Sequence, residues 1–140
     1  MKTLHVFAFL ALALFLCSEC YAKKQFKNGI YKGESRSKYT SEHIWGKVKL
    51  KIKDDKVTLL SFQIVDKEKN EIFGSKYERH FKYTPLYVSQ CRHNLTGMKM
   101  YTEAFLKTKS LKQIDAITGA TWSYDLFRDA LMAALEKAKQ

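Results

Sequence analysis

The stretch Asp115-Ala116-Ile117-Thr118-Gly119-Ala120-Thr121-Trp122-Ser123 gathers the residue types best suited to chemistry in this chain. Three hydroxyl side chains, Thr118, Thr121 and Ser123, stand around a Gly-Ala pair, with the carboxylate of Asp115 just ahead of them. A hydroxyl that is to be esterified must be exposed on a tight turn. Gly119 permits backbone angles closed to other residues, and Ala120 keeps the flank clear of bulk. Directly downstream the spacing predicts a helix, whose free amides and dipole favour an anion at its start. A phosphate diester on Thr121 would therefore lie where negative charge is stabilised. Taken alone, Thr-Gly-Ala-Thr is equally compatible with an ordinary turn and helix cap.

Other candidates are weaker. Cys91-Arg92-His93 brings two ligand types together, but a zinc site needs three or four, and His43 and His80 are distant in sequence. No metal is assigned, and Cys91 reads as a buried or idle thiol. Asn94-Leu95-Thr96 matches the N-glycosylation acceptor pattern. No Ser-His-Asp or paired-carboxylate arrangement stands out.

The elements that must position these residues are uneven in clarity. Asn28-Gly29-Ile30-Tyr31-Lys32-Gly33 reads as a turn into a first strand. Val48, Leu50 and Ile52 alternate with Lys47, Lys49, Lys51 and Lys53, which predicts a strand with one buried and one lysine-covered face. Asp54-Asp55-Lys56 is a turn, and Thr58 to Ile64 alternates again, so the pair forms an antiparallel hairpin. Asp66 to Asn70 is the next turn. Residues 71–98 are poorly informative: Ser75 to Tyr83 is compatible with helix or strand, and Pro85 is a hard break. Tyr101, Ala104, Phe105 and Thr108 have helical spacing. Tyr124, Phe127, Leu131, Leu135 and Ala138 predict a final helix from near Ser123, with Ser123 or Thr121 as its N-cap. The fold class is α+β: a small antiparallel sheet with a central hairpin, packed against a C-terminal helix.

The chain has 140 residues and a formal net charge of +11. Lys2, the apolar run Val6 to Cys17 and the small residue Ala22 have the layout of a secretory signal peptide over residues 1–22, leaving a domain at 23–140. The apolar run is shorter than the roughly 18–20 residues that span a bilayer. The alternative is retention as a membrane anchor. Cleavage removes Cys17 and Cys20, and Cys91 alone forms no internal disulfide. The positive charge favours anionic partners: a phosphate-bearing ligand, an anionic membrane surface or an acidic protein. No nucleic-acid motif accompanies it.

The acidic residue, two spacers, Thr, Gly, Ala and Thr of positions 115–121 resemble the flavinylation signature of the FMN-binding domain family. Members include the covalently flavinylated subunits of sodium-pumping NADH:quinone reductase and of the Rnf electron-transfer complex. Asn28 to Gly33 is similar to the family's opening, the Lys47 to Ile64 hairpin stands where the family has its central strands, and the alanine-rich last helix fits. The resemblance implies FMN as cofactor, bound covalently through a phosphoester to Thr121. Asp115, Thr118, Gly119, Ala120, Trp122 and Ser123 would form the rest of the cofactor site. It further implies attachment by a separate flavin transferase that recognises Asp115. The domain would be an exported, periplasmic or otherwise extracytoplasmic electron carrier, serving a redox partner protein or membrane electron-transfer complex. Trp122, Tyr124, Trp45 and Tyr31 are possible walls for the flavin ring, with core packing the ordinary role for all but Trp122. The lysines would stabilise the anionic reduced flavin and raise its potential. The family is chiefly prokaryotic, which discounts glycosylation at Asn94. The alternatives are a binding module of the same fold, holding FMN non-covalently or holding none, and, last, a small flavoenzyme with its own substrate.

Overall fold

The computed structural model describes residues 25–39 and 41–139. The signal-peptide reading, with Cys17 and Cys20, lies outside the described residues. The elements run β1 (Gly29–Arg36), β2 (Ile44–Lys53), β3 (Lys56–Asp66), β4 (Glu71–Ile72), α1 (Pro85–Thr108) and α2 (Thr121–Ala138). Short 3-10 turns occupy Tyr77–Phe81 and Leu111–Gln113. The four strands form one antiparallel sheet in the order β1-β2-β3-β4. The class is α+β, with the C-terminal helix packed on the sheet.

The central hairpin follows from its sequence. Asp54 and Asp55 both adopt positive φ, 51° and 62°, the conformation of a two-residue turn whose twist matches the strands it joins. Lys53 pairs with Lys56 across it. Val48, Leu50, Ile52, Val57, Leu60 and Ile64 are buried on one face; alternation accounts for all but Val57, which a bulge opposite Lys51 and Ile52 turns inward while Thr58, expected on this face, is exposed. Both helices pack there. Helix α2 crosses β1 and β2 and buries Phe127, Ala130, Leu131, Ala134 and Ala138. Helix α1 contributes Tyr101 and Phe105 to the same core. The approach of α2 depends on Gly33, where an added Cβ would lie 2.0 Å from the Ala130 carbonyl oxygen.

Pro85 marks a boundary, as expected: it follows the 3-10 turn and occupies the first turn of α1, where a missing N–H costs nothing. Residues Ser75 to Tyr83 contain a 3-10 turn, and the helical spacing seen at Met100 to Lys109 is the end of a 24-residue helix. Helix α1 stops at Lys109, which adopts left-handed φ 58° and donates its N–H to the Phe105 carbonyl at 2.8 Å. Among the described residues no helix is long and apolar enough to cross a membrane. The two ends of the described chain meet: Phe26 bridges to Lys139, and the Lys27 N–H donates to the Ala138 carbonyl at 2.8 Å.

Candidate functional site

The segment singled out by its chemistry is a tight turn delivered onto a helix. The Ala120 N–H donates to the Ile117 carbonyl at 2.8 Å, with Thr118 and Gly119 between them. Gly119 has φ +81°, the value a type II turn requires at its third residue. A Cβ at Gly119 would also stand 2.9 Å from Nδ1 of His93, so glycine is demanded by conformation and by space. Tyr101, buried on α1, braces the turn from beneath. Its hydroxyl accepts the Ile117 N–H at 2.9 Å and donates to the Ala120 carbonyl at 3.1 Å. Burial pushes its pKa up and keeps it a donor.

Helix α2 begins at Thr121, two residues before Ser123, and its N-cap is Ala120 with no side-chain cap. The expected capping by Thr121 or Ser123 is thus corrected. Asn94, on α1, does that work from outside the helix. Its Oδ1 accepts the Ser123 N–H at 3.0 Å, and its Nδ2 donates to the carbonyls of Gln90 at 2.9 Å and Gly119 at 3.4 Å. Ser123 is fully buried, its hydroxyl bonded to the carbonyls of Ala120 and Asn94. Thr121 is exposed, and its hydroxyl takes no part in capping. The backbone amides of Thr121 and Trp122 have no hydrogen-bond partner among the described residues. Asp115 and Thr118 are exposed nearby, Asp115 in the irregular stretch leading into the turn.

A cleft of about 630 Å³ opens beside this helix start, lined by Gly119, Thr121 and Trp122 together with residues of the Tyr39 to Ile44 loop, β3, the 3-10 turn and α1. Its size lies inside the roughly 300–1,000 Å³ usual for ligand sites. Aromatic rings run along it: Trp122 to Phe73 at 5.3 Å, Phe73 to Tyr77 at 4.9 Å, Tyr77 to Phe81 at 6.1 Å and Phe81 to Tyr87 at 5.6 Å. The indole N–H of Trp122 donates to the Glu42 carboxylate at 3.1 Å, which fixes the ring. The Ser37 hydroxyl bonds the same carboxylate.

The family model described as FMN-binding domain matches residues 41–136. The chain belongs to the FMN-binding domain family. FMN is accordingly its cofactor. No curated protein matches it. Among solved structures it is similar to the CPE2226 protein from Clostridium perfringens, with a TM-score of 0.56 and 20% identity, over 82% of this chain and 93% of that one. At that identity the likeness shows the fold.

The cleft suits FMN chemically. Two free amides at a helix start offer a phosphate a natural seat, and the aromatic run offers the ring apolar contact. Of the four aromatic residues expected near the flavin, Trp122 alone lines the cleft. Trp45 points to the opposite face of the sheet, under the Lys67 ammonium at 3.6 Å. Tyr31 packs against the core and donates its hydroxyl to the Lys27 carbonyl. Tyr124 packs on Tyr101 and donates to the Ile114 carbonyl.

The charge of the cleft also differs from expectation. Among the described residues Lys69 is the one lysine lining it, against the carboxylates of Glu42, Asp66 and Glu68. Asp66, 2% exposed, accepts from the Tyr77 hydroxyl at 2.6 Å, from the Lys69 ammonium at 3.0 Å, and from the amides of Glu68 and Lys69. Burial opposes its ionisation, but these hydrogen bonds together outweigh burial and hold its pKa at about 2. Tyr77 is pushed well above the usual phenol range by burial and by Asp66. Cys91, also lining the cleft, is buried and its thiol is pushed up by burial, so it is neutral. Sequence reasoning missed Asp66, Phe73, Tyr77 and Asn94. Only Asn94 carried a signal, as part of a sequon, and that signal pointed to the wrong chemistry: Asn94 is buried in the middle of a helix with its amide engaged.

Proposed function

We propose that FMN is carried covalently on Thr121 and that the domain is an extracytoplasmic electron carrier. The observation that carries this reading is the exposed Thr121 hydroxyl, relieved of capping by Asn94, at the first turn of an 18-residue helix and on the rim of an aromatic cleft. A diester there would meet the free amides of Thr121 and Trp122 and the positive end of the helix dipole. Bound FMN supplies reversible exchange of one or two electrons. The chain's own residues hold and orient it: the Ile117 to Ala120 turn presents the acceptor, and Trp122, held by Glu42, gives the ring a fixed surface. A separate flavin transferase would form the Thr121 oxygen–phosphorus bond as the pyrophosphate of FAD breaks and AMP leaves with the hydroxyl proton. Asp115, exposed and free of regular structure, is open to such an enzyme. Export rests on the leader-like residues 1–22, and the reducing and oxidising partners would be a protein or a membrane electron-transfer complex.

The test is co-expression with an active flavin transferase, denaturation, and in-gel flavin fluorescence. The wild-type band should glow and Thr121→Val should be dark. A dark wild-type band, with the transferase active on another substrate, sinks covalent attachment. Yellow native protein that loses its colour on denaturation would identify non-covalent FMN binding instead.

A further inference from the structure

The outer face of the sheet carries neither helix, and its cross-strand rows bring like charges together. Lys32 of β1 stands directly opposite Lys49 of β2, with Lys47 and Lys51 in the rows on either side and Lys53 extending the column. Among the outward positions of β1, β2 and β3, Glu34 is the one carboxylate, 3.5 Å from Lys47. Opposed like charges on neighbouring strands weaken a sheet, so folding does not account for the column. Flavin binding does not account for it either, because none of these lysines lines the cleft. Apolar side chains close both ends of the face. Ile30 and Leu59, 59% and 50% exposed, flank Lys51 in one row. Trp45 and Val65 share the far row with exposed Ile72.

We propose that this face docks the domain on an anionic phospholipid surface. Lysine is depleted at protein–protein interfaces, where arginine and aromatic residues dominate. A column of lysines is therefore a poor match for a protein partner. It suits headgroups that move laterally and need only a point charge, and the attraction sums over adjacent lysines. A tryptophan and isolated aliphatic side chains among the lysines match the mixed polarity of the membrane boundary. Docked in this way, the helical layer with Thr121 faces water, where a redox partner can reach it.

The full chain is mixed with sedimentable vesicles of phosphatidylcholine, with and without 30% (about one lipid in three) phosphatidylglycerol, at low and high salt. The neutral vesicles report any binding through apolar residues 6–17. Wild type should partition at least about tenfold more strongly onto the anionic vesicles, and salt should erase the difference. The variant with Lys47, Lys49, Lys51 and Lys53 each changed to Gln should lose that preference. A charge-matched variant with Lys76, Lys99, Lys107 and Lys112 changed to Gln should keep most of it. Lys49→Glu gives the same comparison with one substitution if the fourfold variant misfolds, as circular dichroism would reveal. Equal loss in both fourfold variants would mean net charge alone and overturn the proposal. So would equal binding to both vesicle types, or binding to soluble polyglutamate without binding to vesicles.

Discussion

Asp66 is kept ionised inside the protein by donors that surround it, and this has a consequence in acid. Its folded pKa of about 2 lies below its ordinary 3.8. Its contribution to stability is therefore present above about pH 4 and is lost as the pH falls towards 2. The shift is equivalent to no more than about 2 kcal/mol after solvent screening. Urea midpoints at pH 7, 4 and 3 should fall for wild type across that window. Asp66→Asn should be less stable at pH 7 and show a flatter profile. Glu68 is exposed beside the same cleft. Neutralising it with Gln should raise the potential of the bound flavin, because a negative neighbour disfavours the added electron; spectroelectrochemistry of the loaded protein gives the sign. At this scale the sequence was readable where a backbone constraint selects a residue type. Gly119 was expected on the turn and has φ +81° there. Asp66 looked like an ordinary turn residue, since its partner Tyr77 comes from an unreadable stretch.

Helix α1 positions the turn, and it was the element least visible in the sequence. Its buried side chains are Cys91, Asn94, Gly97, Tyr101 and Phe105, spaced by three and four as a helix requires. Two of the five are Asn and Gly, so hydropathy does not trace the stripe. Both are there for the site. A Cβ at Gly97 would come within 2.6 Å of the Ala120 Cβ, and Asn94 fastens the start of α2. Asn94→Ala should cost about 1–2 kcal/mol, as loss of a cap does, and should also lower flavin loading in the in-gel assay. Thr96→Ala removes the same sequon from an exposed position and should leave stability within about 0.5 kcal/mol and loading unchanged. The hairpin, by contrast, was legible along most of its length, because alternation admits one register once one face is buried. It misled beside the turn, where a bulge puts Val57 in the core and leaves Thr58, expected to alternate with Leu60, exposed.

The described residues form two groups of buried side chains, one between the sheet and both helices and one beneath the cleft. Phe62 packs against both, and α2 sends Phe127 into the first and Leu126 into the second. They should therefore melt together. Tyr77→Phe, in the group beneath the cleft, and Leu131→Ala, in the other, should each lower one shared Tm. Calorimetric and van't Hoff enthalpies should agree, and Leu131→Ala should cost about 2–5 kcal/mol. Two separate transitions would show that the cleft wall unfolds on its own. The cleft itself could not be seen in the sequence as a whole. Its lining comes from residues 39–44, 66–94 and 119–122, and only the last of these had a recognisable pattern.

The clasp between Phe26 and Lys139 joins the segment before β1 to the end of α2. Strand β1 is translated first among the strands, yet its inner side is covered by the helix translated last. Until Ala130 and Ala134 have left the ribosome, Gly33 has nothing to rest against. The packing of β1 is therefore incomplete in any chain that lacks α2. If the protein is exported as proposed, a chain that has not yet delivered α2 would cross the membrane without a packed β1.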